Sequence, residues 1–137
     1  MPATQILVVD DFLPWQCFIQ QMFESETDLK IIATAADGLE AIQKATELQP
    51  DVILMDVSLP KLNGFEAARH IRMLSPASLI LFLSEHRGPD LIEAAFKAGA
   101  WGYVLKADSN SDLFTGIRAI LRGQQFVSHS LKDAGRS

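Results

Sequence analysis

Cysteine is nearly absent: Cys17 is the single one in 137 residues, which excludes an internal disulfide framework and fits a reducing compartment. Alone, it reads as a small helix residue, buried or half-buried. Blocks of like charge are also missing, and the net charge is -5. A nucleic-acid module ordinarily carries a basic patch, so no direct contact with nucleic acid is expected. No basic stretch precedes an apolar one near the start, so no signal peptide is expected. The longest apolar runs, such as Leu79–Leu83, are far too short to span a bilayer. Together these absences point to a cytoplasmic protein without a membrane partner. What is present is a chain that is 48% apolar, enough for a core, at a length that suits one domain.

Two hydrophobic periods alternate along it. Ile6–Val9 is a short continuous apolar run, read as a strand. Trp15, Phe18, Ile19, Met22 and Phe23 then fall on one helical face, with Pro14 in the first turn. A second strand lies within Leu29–Thr34, and a second helix carries Leu39, Ile42, Ala45 and Leu48 before Pro50. Val52–Met55 is a third strand, and Phe65, Ala68 and Ile71 mark a third helix. Leu79–Leu83 is the fourth strand, followed by a helix with Leu91, Ile92, Ala95 and Phe96 that Gly99 closes. Tyr103–Leu105 is the fifth strand. Leu113, Ile117, Ile120 and Leu121 mark the fifth helix, capped by Gly123. Five βα units predict an α/β fold: a doubly wound, five-stranded parallel sheet with helices on both faces. The flavodoxin-like order 2-1-3-4-5 is the simplest for them. The expected domain is 1–127, with Phe126 and Val127 packing back on it. Residues 128–137 read as a polar tail without periodicity, or the start of a linker.

In such sheets ligands bind at the carboxyl ends of the strands. Strand one ends at Asp10 and Asp11, strand three at Asp56, strand four at Ser84 and strand five at Lys106. An Asp after one strand is ordinarily a turn or cap residue. Polar residues ending four separate strands form a joint pattern that converges on one crevice. Two carboxylates about 5 Å apart repel by roughly 3 kcal/mol at an effective dielectric near 20. Lys106 offsets one charge, and a divalent cation would offset the rest. An all-oxygen donor set suits Mg²⁺ and, without soft ligands, does not suit zinc. A carboxylate is a nucleophile toward phosphorus, and the cation, Lys106 and Ser84 would clamp the phosphoryl oxygens. A phosphorylated Asp56 would present new acceptors to Ser84 and Lys106, which turns chemistry into a change of shape.

At these residues the sequence resembles the receiver domain of bacterial two-component response regulators. The carriers are ILVVDD (Ile6–Asp11), DGLEAI (Asp37–Ile42), PDVILMDVSLPKLNGFEA (Pro50–Ala67), LFLS (Leu81–Ser84) and AFKAGAWGYVLK (Ala95–Lys106). The resemblance implies phosphoryl transfer to Asp56 from a phosphohistidine on a sensor histidine kinase. It implies direct binding of Mg²⁺ by Asp11, mostly water-mediated binding by Asp10, and the Ser58 backbone carbonyl as a third protein ligand. It further implies phosphoryl contacts by Ser84 and Lys106, and a switch in which Tyr103 swings inward as Ser84 moves. AFKAGAWGYVLKAD and LRGQQFVS resemble receivers that precede a LuxR-type helix-turn-helix. No such DNA-binding motif lies in these residues, and the sequence leaves open a longer regulator or a free-standing receiver.

The pattern has departures. Glu85 follows the hydroxyl residue where a small residue is common, and its charge predicts slower phosphoryl transfer or a gated site. Ala107 replaces a frequent cis proline, which predicts a trans bond. Asn63 replaces a frequent Asp with little consequence. Beside the site, His86 reads as a solvated loop histidine. His70 and His129 show no metal-ligand spacing, and Trp15 reads as core. Phe114 lies beside the core row of its helix and is expected to be exposed. A homodimer or docking patch is expected either on helices one and five, or on helix four, strand five and helix five. Rival classes fit less well. A phosphatase resembling haloacid dehalogenases needs D-x-D after strand one, where D-D-F stands. A flavin or nucleotide binder needs a Gly/Ser/Thr loop where DDFLPW stands. The alternative that shares the fold is a degenerate receiver, a docking module that works without phosphorylation.

Overall fold

Short apolar runs and amphipathic stretches become six strands and six helices in residues 2–134, the part of the chain that the computed structural model describes. β1 is Thr4–Val9, α1 Leu13–Phe23, β2 Leu29–Ala35, α2 Gly38–Leu48 and β3 Val52–Met55. α3 is Gly64–Leu74, β4 Leu79–Ser84, α4 Pro89–Lys97 and β5 Gly102–Leu105. A 3₁₀ turn, Lys106–Asp108, leads into α5 (Ser109–Leu121), and β6 (Phe126–Val127) and α6 (His129–Ala134) follow. Every pairing is parallel, in the order β2-β1-β3-β4-β5-β6.

The expected five-stranded order is present, with one strand more. Phe126 pairs with Gly102 and Val127 with Tyr103 on the outer edge of β5. Two residues are too few to show a period, so the sequence signals packing there and not a strand. The tail also differs from the expectation. His129–Ala134 is helical, and Leu131 is buried in the core. The rest of the tail lies outside the described residues.

Alternate residues of each strand point to opposite faces, which divides the core in two. Leu7, Val9, Ile53, Met55, Ile80, Phe82 and Tyr103 pack under α2, α3 and α4. Ile6, Val8, Leu54, Leu81, Leu83 and Val104 pack under α1 and α5 with Ile19, Phe23, Ile117 and Ile120. Phe114 is half-buried there, not exposed, because its ring meets Phe23 edge-on at 5.0 Å between centroids.

Local chemistry fixes the helix ends near the strand tips. Asp37 caps α2 by accepting from the Glu40 amide (2.8 Å), while the Glu40 carboxylate accepts from the Ala36 amide (2.6 Å). Asn63 caps α3 by accepting from the Glu66 amide (3.0 Å). Pro14 and Pro89 stand in the first turns of α1 and α4, where no amide partner is needed. All described peptide bonds are trans, including that to Ala107.

Candidate functional site

β1 and β3 are neighbours in the sheet, so their ends bring Asp10 and Asp56 side by side. β5 delivers Lys106 from two strands away. Its Nζ donates to Asp10 Oδ2 (2.7 Å) and to Asp56 Oδ2 (3.3 Å). One carboxylate oxygen each from Asp10, Asp11 and Asp56 lies within 4.8 Å of the others. Backbone amides fix the carboxylates further: Phe12 N donates to Asp10 Oδ1 (2.8 Å) and Ser58 N to Asp56 Oδ1 (3.3 Å). Asp10 is buried, Asp11 is exposed, and Asp56 is between them. With Phe12, Ser58, Glu85, His86 and Lys106 they line a cleft of about 370 Å³.

The electrostatics follow from this crowding. Burial raises the Asp56 carboxyl above its ordinary range; Lys106 opposes that rise and the Asp10 charge adds to it. Burial alone would lower the Lys106 ammonium, but its bond to Asp10 and the charges of Asp56 and Asp10 carry it above its ordinary value. Two acids around one base thus leave surplus negative charge on a half-buried floor.

Four of the strand-end residues, Asp10, Asp11, Asp56 and Lys106, meet as expected, and Ser58 lies on the rim. Ser84 is placed differently. It is fully buried, its Oγ accepts from the His86 amide (3.0 Å), and it lines the adjoining hollow with Glu85, Arg87, Leu105 and Ala107. Tyr103 is also fully buried and points inward, its hydroxyl donating to the His86 carbonyl (2.9 Å). Burial raises its phenol above the ordinary value, with the nearby Ser84 hydroxyl opposing.

Two residues given no role from the sequence make contacts at this site. His86 is exposed in the loop beside the site, as expected, and its Nε2 also lies 3.2 Å from Ser58 Oγ, which joins the β3–α3 and β4–α4 loops across the cleft. The available signal was spacing, since His86 follows Ser84 by two residues as Ser58 follows Asp56. Trp15 packs half-buried against the core, as expected, and Lys106 Nζ lies 5.0 Å from its ring centre, close enough for a cation–π contact.

The family model for the response regulator receiver domain matches residues 6–118. The chain belongs to that family. Among similar receivers, a LuxR-family two-component response regulator from Aurantimonas sp. SI85-9A1 is 35% identical. Its structure superposes with a TM-score of 0.91 over 96% of this chain and 94% of that one. The transcriptional regulatory protein DegU of Brevibacillus brevis is 30% identical over 90% of this chain and 52% of its own length. The oxygen regulatory protein NreC of Staphylococcus aureus is 33% identical over 93% of this chain and 59% of its own. The receiver therefore spans little more than half the length of these curated relatives, and it is of the LuxR-associated subtype. Receivers generally bind Mg²⁺, and the donor set here fits: three carboxylates, no sulfur, no imidazole nitrogen among them. Among the described residues no helix is long and apolar enough to cross a membrane.

Proposed function

We propose that this receiver is a phosphorylation-dependent signalling switch with Asp56 as acceptor. The observation that carries this reading is the Lys106 ammonium held between Asp10 and Asp56 on the floor of an open cleft. An Asp56 oxygen attacks the phosphorus of a phosphohistidine on a sensor histidine kinase. The P–N bond breaks, a P–O bond forms, and the imidazole leaves neutral, keeping the proton already on its other ring nitrogen. Lys106 neutralises charge on the transferring oxygens. Water later cleaves the acyl phosphate and returns the carboxylate, so the chain's catalysis is confined to its own phosphorylation and dephosphorylation. Asp10, Asp11, Asp56 and the Ser58 carbonyl would hold Mg²⁺, which when bound supplies charge neutralisation for the phosphoryl oxygens.

The switch would run through Ser84 and Tyr103. Both are buried and both bond the backbone of His86, so a shift of the Ser84 hydroxyl toward a phosphoryl group disturbs the Tyr103 contact. Exposed Phe12 and Leu13 beside the cleft support docking of the kinase there. Further parts of the reading are a cytoplasmic location, a DNA-binding domain in a longer regulator, and a homodimer, which light scattering at several concentrations would detect. A receiver unit that runs past the expected 127 to Leu131 is also part of the proposal, and the burial of Ser128 and Leu131 supports it.

The second reading, a docking module independent of phosphorylation, draws on Glu85, which lines the same cleft. One experiment separates the two: incubation with acetyl phosphate and Mg²⁺, read by mass spectrometry. The expected result is one added phosphate on the parent chain and none on Asp56→Asn. A parent chain that stays unlabelled would favour the docking module.

A further inference from the structure

A second acidic cluster lies away from the acceptor cleft. Asp108 and Asp112 are both buried, at the turn into α5 and in its first turn. Three consecutive residues of the C-terminal segment grip them. The Ser128 hydroxyl, fully buried, bonds Asp108 Oδ2 and lies 3.1 Å from Asp112 Oδ2. The His129 amide donates to Asp112 Oδ2 (2.8 Å), and its Nδ1 lies 2.8 Å from the same oxygen and 3.9 Å from Asp108 Oδ2. Ser130 Oγ donates to Asp108 Oδ1 (3.0 Å). Backbone pairing sets the register: Phe126 N donates to Trp101 O (3.0 Å) and Ser128 N to Tyr103 O (2.9 Å). Phe126 lies so close over Gly116 that any β-carbon there would collide with its ring.

The fixed half of this cluster is short and shared. Asp108 sits two residues after Lys106 in the same three-residue turn, and the carbonyl that takes Ser128 belongs to Tyr103. A displacement of the Lys106 backbone in so short a turn is passed on to Asp108 two residues later. We propose that Asp108 and Asp112 form a latch holding Phe126–Leu131 against the sheet edge, and that the turn Lys106–Asp108 opens this latch when Asp56 is phosphorylated. The latch itself stands on the contacts above; its opening rests on the acceptor reading of Asp56. Phosphoryl oxygens on Asp56 compete with Asp10 for the Lys106 ammonium, the turn follows Lys106, and the Asp108 bonds to Ser128 and Ser130 lengthen.

Hydrogen exchange on the full chain, read by mass spectrometry of peptides covering residues 124–134, tests both halves. In Ser128→Ala and Asp112→Asn the amides of Ser128, His129 and Leu131 should exchange at least about tenfold faster, the factor carried by one charge-assisted hydrogen bond. Peptides from β1, β3 and β4 should be unchanged, which shows that the variants fold. Exchange equal to the parent's in both variants overturns the latch. Parent chain labelled with acetyl phosphate and Mg²⁺ should show the same loosening. A chain that gains phosphate mass without loosening overturns the coupling but keeps Asp56 as acceptor. A chain that gains no mass overturns the acceptor reading and the coupling with it.

Discussion

As the proposed acceptor, Asp56 carries two demands that conflict. It must be ionised to attack phosphorus, yet burial and Asp10 push its carboxyl upward. Glu85 adds a fourth carboxylate to the cleft lined by Asp10, Asp11 and Asp56. Glu85→Ala should speed labelling by acetyl phosphate roughly fivefold, the factor that about 1 kcal/mol of relieved repulsion supplies. Initial rates at fixed Mg²⁺ measure this, and an unchanged rate removes Glu85 as a gate. At this scale the carboxylates and Lys106 were legible because each ends a strand whose apolar run is unmistakable. His86 and Trp15 were not. Their contacts with Ser58 and Lys106 arise from loop and helix geometry between residues 28 and 91 positions apart, which no local pattern encodes.

Between strand and helix, the β3–α3 connection is the element that aims Asp56. Gly64 N donates to Val57 O (2.8 Å), and Asn63 caps the helix that follows. A β-carbon at Gly64 would meet the Asp56 carbonyl, with the Phe82 ring 3.0 Å away. The obstructing atoms are backbone and a packed ring, so the connection itself must shift. Gly64→Ala should cost about 1–3 kcal/mol and slow Asp56 labelling. Asn63→Ala removes only the cap and should cost about 1 kcal/mol with labelling preserved. Urea unfolding and labelling of both variants check the pair; equal labelling would mean that Gly64 does not position Asp56. Several helix limits were readable in sequence because proline and glycine punctuate them, whereas the Asp37 and Asn63 caps emerge only from the structure. β6 and α6 were not, since their stability comes from the Tyr103 edge and from Asp108 and Asp112 rather than from periodicity.

Over the whole molecule, five βα units made the sheet order legible, since right-handed crossovers allow few ways to bury both faces. The charge balance between the two acidic clusters beyond the carboxyl end of β5 was not legible, because it depends on which acids find partners. Asp56 lies above the ordinary range, chiefly through burial. Asp108 and Asp112 lie below it: burial would raise them, but bonds from Ser128, Ser130 and His129 together outweigh it. The signs are therefore opposite. A raised acid stabilises the fold most when protonated, and that contribution fades as pH climbs through its folded value. Depressed acids stabilise while ionised and lose that contribution as pH falls through theirs. Without divalent cations, Asp56→Asn should be more stable than the parent at pH 7, the two converging below the ordinary aspartate value. Asp112→Asn should be less stable than the parent at pH 7, with its deficit shrinking only at lower pH still. Mg²⁺ should stabilise the parent more than Asp56→Asn, because it binds a folded site that the variant has weakened. Urea midpoints from pH 3 to 8, with and without Mg²⁺, read all three contrasts. An Asp56→Asn chain less stable than its parent at pH 7 would mean that Lys106 more than compensates the buried charge, and the acceptor floor would carry no surplus for a cation to neutralise.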